Sequence, residues 1–323
     1  MNEVCSICSS AGLQYLFSKP SKDHINYNIF QCKKCNIAQV SPLPSQEILD
    51  SYYSNEYFTS RTDRGYENYY SDETRKEIFR VWNLNLSDLG INPNLYPINK
   101  EPSNIIHNSV GKNLLSNNSS NPKMQSNDAI IQFASDKARS LDVGCAAGYF
   151  VDYMKSLGWQ SMGIEIAPDP IKFAREKLKL DIVEGNFLEW DKQAKEKFEM
   201  ITLWASIEHM RDPLAVLKKI LSHLTEDGIL ILSTCRWGIL SKILKKKWRF
   251  LNVPEHLFYF GLDEIIKLMH ELGYKYHKSI TYGSGMTMKK NPSKIFLKLK
   301  KFLDWFVKIS NQGDMMALCF KKS

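Results

Sequence analysis

The sequence predicts an α/β fold, a mostly parallel sheet with helices on both faces, preceded by a small module held together by cysteines. Three observations carry that expectation. From Ser140 to Gly283, short apolar runs alternate with amphipathic periods, as strands do when crossover helices join them. The first of these units, Leu141-Asp-Val-Gly-Cys-Ala-Ala-Gly148, sets a Gly-rich turn between an apolar strand and a helical period. Near the N-terminus, Cys5-Ser-Ile-Cys8 and Cys32-Lys-Lys-Cys35 repeat one C-x-x-C spacing across 23 intervening residues.

The cysteines come first in the chain. Two thiolates on a tight turn can share one ion, and two such knuckles complete a tetrahedral site. Two disulfides or a redox pair are the alternatives. The opening MNEVCSICSS has no basic stretch followed by an apolar one, so a secretory signal is not expected. Disulfides are then disfavoured, and a redox pair needs no duplicate. Residues 1–45 therefore read as a module in which Cys5, Cys8, Cys32 and Cys35 bind structural zinc, in a protein expected to be cytoplasmic. The other cysteines, Cys145, Cys235 and Cys319, lie in apolar contexts and read as packed small residues. Residues 46–88 form a Tyr-rich connector (Tyr52, Tyr53, Tyr57, Tyr66, Tyr69, Tyr70), with a helix expected from Asp72 to Leu86 on the spacing of Ile78, Phe79, Val81 and Trp82. Residues 89–135 are rich in Asn and Ser with little apolar periodicity. Such a composition does not order itself, so this insertion is expected to be mobile, as a lid or as a tolerated linker.

Residues 136–323 hold the sheet. A strand from Ser140 to Val143 runs into the Gly-rich turn, and a helix follows from Tyr149 to Leu157. Backbone N–H groups can approach a ligand closely at such a helix N-terminus. The next strand ends in Met162-Gly-Ile-Glu165, and a carboxylate there can accept both hydroxyls of a ribose. No Gly-Lys-Ser/Thr P-loop occurs, which argues against a triphosphate. Asp212-Pro213 caps and starts a helix whose apolar face is Leu214, Leu217, Ile220, Leu221 and Leu224. Gly228 is expected to stop it before a strand from Ile229 to Thr234. Gly261 opens another helix that Gly273 closes, and strands at Tyr274–Thr281 and Met315–Phe320 complete the sheet.

Residues 140–283 resemble a class I S-adenosylmethionine-dependent methyltransferase. The matching pieces are LDVGCAAG (141–148), GIEIAP (163–168), EGNFLEW (184–190), ITLWASIEHMRDP (201–213), EDG (226–228) and ILILSTC (229–235). The resemblance implies a Rossmann-like sheet whose last strand runs antiparallel beside its predecessor. It also implies that the first loop (Asp142, Gly144, Cys145, Ala146, Gly148) holds the methionine part of the cofactor. Glu165, with Ile166 beside it, would hold the ribose, Asn186 and Phe187 would border the adenine, and Trp204 to Glu208 would face cofactor and substrate. Two positions depart from the family pattern. Ala146 replaces the usual central glycine, which fits only at negative φ. Asn186 replaces an Asp, and its amide oxygen can still accept from an adenine amino group.

Two Glu-His pairs carry the remaining chemistry. Glu208-His209 sits at the turn after the fourth strand, where it can polarise an acceptor or serve as a structural helix entry. Glu255-His256 lies in the aromatic segment Trp248 to Phe260. A His tuned by an adjacent Glu suits a general base near neutral pH, whereas a lone His more often just packs in a loop. Together with the four-Cys module, this second pair resembles the zinc-containing sugar C-methyltransferases. By that resemblance His256 would be the base and Glu255 its partner, the acceptor would be a sugar carried on a nucleotide, and a tyrosine from the N-terminal region, here Tyr66 or Tyr69, would line the site.

Composition narrows the partners only coarsely. A hydrophobic fraction of 43% suits a globular chain, and no apolar run approaches the roughly 20 residues of a membrane span. The formal charge of +8 suits an acidic partner such as nucleic acid, a nucleotide-linked substrate or a membrane surface. Ser241–Arg249 and Pro292–Ile309 set Lys opposite Ile, Leu, Phe and Trp. They read either as contacts for anionic lipid or phosphate, or as solvated faces of helices packed on the sheet. A zinc-assisted RNA methyltransferase and a non-catalytic cofactor-binding protein are the other functional readings. RNA methylation is the runner-up, although no RNA-binding motif and no Asn-Pro-Pro-Tyr type signature is present; Glu165 and the two Glu-His pairs argue against a non-catalytic role.

Overall fold

The computed structural model of the chain describes residues 4–53, 58–59, 68–96, 130–134, 138–190, 196–284 and 293–323. Strands β1 (Leu13–Pro20), β2 (Asn26–Cys32) and β3 (Ala38–Val40) make an antiparallel ribbon beside the cysteine knuckles. Helices α1 (Gln46–Tyr52) and α2 (Asp72–Asp88) lead to a parallel pair, β4 (Ile91–Tyr96) and β5 (Ile131–Ala134). The chain then alternates through β6 (Arg139–Val143), α3 (Tyr149–Ser156), β7 (Gln160–Glu165), α4 (Pro168–Glu176), β8 (Ile182–Glu184), β9 (Phe198–Trp204), α5 (Pro213–His223) and β10 (Leu224–Cys235). After α6 (Ile239–Leu244) and β11 (Phe258–Tyr259) come α7 (Leu262–Glu271), β12 (Tyr274–Tyr282), α8 (Lys294–Ile309) and β13 (Met315–Lys322).

The main sheet has the order β12-β13-β10-β9-β6-β7-β8. From β10 to β8 every pairing is parallel, while β13 runs antiparallel between β10 and β12. This is the Rossmann-like methyltransferase order that the resemblance implies. The central strands are nearly continuous apolar runs because both faces are covered. On one face Leu141, Ile201 and Leu230 pack against Leu217 and Ile220 of α5 and Leu268 and Met269 of α7. On the other, Met200, Ile229 and Ile231 pack beneath Trp82 of α2 and Phe150 of α3. The expected cap at Asp212 is present, its Oδ1 accepting from Ala215 N at 2.9 Å ahead of Pro213, and Ser71 also caps α2, its Oγ accepting from Thr74 N at 3.1 Å.

Two expectations need correction. Residues 89–135 do not lack order throughout. β4 lies inside them, Leu89 and Ile91 are buried with Phe133, and Trp159 Nε1 donates to Pro93 O at 2.7 Å. The strand that completes this pair is about 35 residues further on, beyond the reach of local periodicity; positions 97–129 lie outside the described residues. Gly228 does not stop a helix either. Helix α5 ends at His223, and β10 already begins at Leu224 with a register shift before Ile229. A Cβ on Gly228 would sit 2.9–3.0 Å from Thr225 N, Thr225 O and Phe198 O. The glycine therefore marks a crowded irregularity in a strand.

The N-terminal ribbon is joined to the main body by backbone pairing. β11 pairs with β3 (Phe258 opposite Gln39, Tyr259 opposite Ala38), and Val40 N donates to Leu257 O at 2.9 Å. Lys19 Nζ to Leu251 O, and Arg211 to Pro44 O, add side-chain ties. The aromatic segment holding Glu255-His256 is thus shared between the cysteine module and the sheet.

Candidate active site

The four cysteines converge as the spacing requires. Cys5 Sγ lies 3.6 Å from Cys35 Sγ and Cys8 Sγ 3.5 Å from Cys32 Sγ, with all four within 4.8 Å of one another. Those separations are too long for disulfides and close to the edge of about 3.8 Å that four 2.3 Å Zn–S bonds impose on a tetrahedron. The Cys35 thiol, donating to its neighbour, pulls Cys5 down to about 5, while the same contact and burial push Cys35 well up, so this pair holds one thiolate and one proton between them. Lys34 N points at Cys32 Sγ at 3.4 Å, which supports the knuckle. The donor set fits a closed, structural zinc.

A cavity of about 870 Å³ opens at the C-terminal edge of the main sheet, walled by α1, the 143–146 loop, Glu165–Asp169, Gly185–Glu189 and Ala205–Asp212. Among the expected cofactor residues, Gly144, Ala146, Glu165, Ile166, Asn186 and Phe187 lie on its wall. The loop is held open by close approach. Gly144 has φ +73°, and a Cβ there would sit 2.9 Å from Ser206 Cβ, whose hydroxyl donates to Val143 O at 3.0 Å. Ala146 adopts φ +46°, contrary to the negative φ expected; the chain accepts left-handed backbone without glycine here. Glu165 is buried and bonded, its Oε2 accepting from Ala146 N at 2.8 Å and its Oε1 from Ile166 N and Ala167 N at 2.7 and 2.9 Å. Burial pushes its carboxyl above the usual range, and those N–H groups pull it partway back. Asn186 is exposed, and its Oδ1 accepts from Leu188 N at 2.9 Å, closing the turn that presents Phe187.

Asp142, Cys145, Gly148 and Trp204 do not reach that wall. Asp142 is buried and accepts from Thr202 Oγ1 at 2.7 Å, fixing β6 against β9. Cys145 packs on Gly163, where a Cβ would come within 2.5 Å of its sulfur. Gly148 caps α3 at φ +73° with Leu180 against it. Trp204, expected to face cofactor and substrate, turns instead to the core, 5.4 Å from Phe150 and 5.9 Å from Trp82 between ring centroids. Trp204 is the last residue of β9, and Ala205 and Ser206, in the turn beyond it, line the cavity instead.

The two Glu-His pairs, 47 positions apart in sequence, meet. The rings of His209 and His256 contact edge to face at 4.6 Å, and donor atoms of Glu208, His209 and His256 all lie within 4.8 Å of one another. Leu257 N donates to Glu208 O at 2.8 Å, which clamps the aromatic segment to the turn after β9. His209 lines the cavity, and His256 lies behind it, 7% exposed, with Nδ1 3.7 Å from Cys235 Sγ. Burial pushes the Cys235 thiol well up, so it is a neutral neighbour. Glu255 is buried on the side of Tyr27 and Tyr259, whose phenols are pushed up by burial first and by its charge to a lesser degree.

Sequence reasoning missed the tyrosine at this site. Of the two candidates, Tyr66 lies outside the described residues, and Tyr69 is buried against Tyr149 at 5.3 Å, its carbonyl accepting from that phenol. The tyrosine that reaches the histidines is Tyr53, whose OH is 2.9 Å from His209 Nδ1. The signal was a short helix within the Tyr-rich run: Ser45 caps α1, Leu49 and Tyr52 bury its inner face, and Tyr53 leaves its end pointing into the cavity.

Residues 121–279 match the family described as a methyltransferase domain. The ubiquinone biosynthesis O-methyltransferase of Xanthomonas campestris pv. campestris is 33% identical over 102 residues, which cover 30% of this chain and 43% of that protein. The protein of the same name from Haemophilus ducreyi is 31% identical over 103 residues, 29% of this chain and 44% of that one. The chain thus spans less than half the length of these curated relatives. A SAM-dependent methyltransferase from Thermotoga maritima superposes with a TM-score of 0.43 at 17% identity, over 57% of this chain and 82% of that one.

Proposed function

We propose that this protein, whose residues 121–279 match a methyltransferase-domain family, transfers a methyl group from S-adenosylmethionine to a small polar acceptor. The observation that carries the reading is the single cavity wall on which Gly144, Glu165 and Asn186 stand at one side and Tyr53 and His209 at the other. Bound there, the cofactor supplies a methyl group on a cationic sulfur. Gly144 and Ala146 present backbone to the methionine part, Glu165 offers carboxylate oxygen to the ribose, and Asn186 with Phe187 borders the adenine.

The acceptor must lose a proton as it gains the methyl group. The Tyr53–His209–His256 constellation is the proton-accepting end. In the tautomer whose Nδ1–H points at Cys235 Sγ, His256 keeps Nε2 as a base. His209, on the wall and oriented by Tyr53, passes the proton inward or holds the acceptor. Glu208, buried within 4.8 Å of both histidines, completes the cluster. For the acceptor, the Glu255-His256 segment beside the four-Cys module supports a nucleotide-activated or surface-polysaccharide sugar, while the likeness to ubiquinone biosynthesis O-methyltransferases supports an O-methyl acceptor. The same constellation serves either.

The test pairs His256→Ala and His209→Ala with titration of S-adenosylmethionine into the zinc-loaded protein. Turnover from methyl-labelled S-adenosylmethionine onto fractions of nucleotide sugars, phenols and RNA should fall on the order of a hundredfold or more in both variants, with cofactor affinity nearly unchanged. Loss of affinity along with turnover would sink the assignment of these histidines, and label confined to RNA would replace the small acceptor with the nucleic-acid reading.

A further inference from the structure

Helix α8 turns the wrong side outward for a helix packed on a sheet. At 3.6 residues per turn, Ile295, Leu299, Phe302, Trp305, Phe306 and Ile309 fall within an arc of about 120°, and this arc faces away from the protein: Ile295 is 80% exposed, Phe302 57% and Trp305 51%. The inner side is formed by Phe296, Lys300, Leu303 and Val307, with Lys300 bonded to Asp304 at 2.5 Å. Of the two readings open from the sequence, a solvated polar face over a packed apolar one is therefore not what α8 shows.

The patch also has company. Thr281 Oγ1 donates to Val307 O at 3.4 Å, and Ser284 bonds Asp304. The helix thus runs antiparallel to β12, and its first turns extend past the C-terminal edge of the sheet by about 15 Å. At the same corner Arg236 donates from its backbone to Asp314 O at 2.7 Å and from Nη1 to Gln312 Oε1 at 3.1 Å. From there α6 carries the exposed Ile239, Ile243 and Leu244 into Lys245–Lys247. Two apolar protrusions, each flanked by exposed lysines (Lys242 and Lys245–Lys247; Lys294, Lys298 and Lys301), rise from the edge on which the cavity opens. An exposed apolar face of this size marks a binding surface. Apolar side chains between lysines match a boundary that is hydrocarbon below and anionic above.

We propose that α8, with α6 beside it, seats the protein on an anionic lipid bilayer, the aromatic stripe entering the headgroup–acyl boundary and the lysines meeting lipid phosphates. This placement does not depend on the methyl acceptor, and its test needs no turnover. Full-length, zinc-loaded protein is floated with vesicles of equal parts phosphatidylglycerol and phosphatidylcholine, and with vesicles of phosphatidylcholine alone. Binding is expected to the first and to weaken as salt rises. The double variant Phe302→Ser, Trp305→Ser should lower the partition coefficient at least about tenfold, and Lys298→Glu with Lys301→Glu should abolish the preference for anionic vesicles. Unchanged melting temperature and S-adenosylmethionine affinity show that the variants are folded. Absence of wild-type binding, or equal binding by the serine variant, overturns the proposal. So does a dimer in light scattering that the serine variant splits without any vesicle binding, because the stripe then belongs to a second copy.

Discussion

Two residues at the cofactor side of the cavity hold opposite kinds of cost. Ala146 stands at φ +46° with a Cβ, where left-handed backbone disfavours any side chain by about 1–2 kcal/mol. Ala146→Gly should therefore raise stability by up to about 1 kcal/mol, part of the relief being lost to the greater freedom of glycine in the unfolded chain, and urea unfolding reads it directly. A loss of stability instead would mean that the methyl group packs rather than strains. Glu165 carries a buried carboxylate whose pKa lies above the usual range through desolvation. In the proposed cofactor pose the group would accept from ribose hydroxyls in its charged form. Cofactor affinity should thus be full above that raised pKa and fall as pH drops through it, at higher pH than an exposed glutamate would show. Glu165→Gln should weaken binding about tenfold and flatten this acid limb. A calorimetric pH series that kept the limb in the variant would assign it to another group.

At the scale of elements, α2 is the lid of the second core. Trp82 is 8% exposed, its ring 5.1 Å from Phe150 and 5.9 Å from Trp204, and Arg75 pairs with Asp152 to fix α2 on α3. Trp82→Ala should cost about 3–5 kcal/mol in denaturant unfolding, most of it from the void left under β9. A cost below about 1 kcal/mol would show α2 to be only loosely docked. The element-level errors share one origin. Gly228 reads as a helix stop when only its neighbours in sequence are considered, yet its backbone is crowded by Phe198 of the adjacent strand. β4 is invisible locally because β5, its partner, arrives only at Ile131.

Across the whole molecule the cysteine module and the histidine pair are mechanically one unit. β3 of the module pairs with β11, and His256 stands two residues before that strand. The cofactor wall is supported elsewhere, by β6, β7 and α3. Stripping the metal with a chelator, or Cys32→Ser, should therefore lower turnover about a hundredfold, as a displacement near 1 Å can, while S-adenosylmethionine affinity changes far less. Equal losses in both would indicate global unfolding. Unchanged turnover would separate the module from the site altogether.

The chain by itself determined the sheet order's class, the four-thiol cluster, the Gly-rich loop with Glu165 at the end of the second strand, and the capped helix start at Asp212. Each rests on residues close in sequence, where spacing, periodicity and cap chemistry act directly. Only the tertiary structure decided that the two Glu-His pairs share one site, that Tyr53 completes it, that Trp204 faces the core, and that α8 shows its apolar side to solvent. Those outcomes depend on which surfaces meet across the fold. A histidine's neighbour or a helix's buried face is chosen by contacts between elements far apart in the chain, and no local pattern encodes that choice.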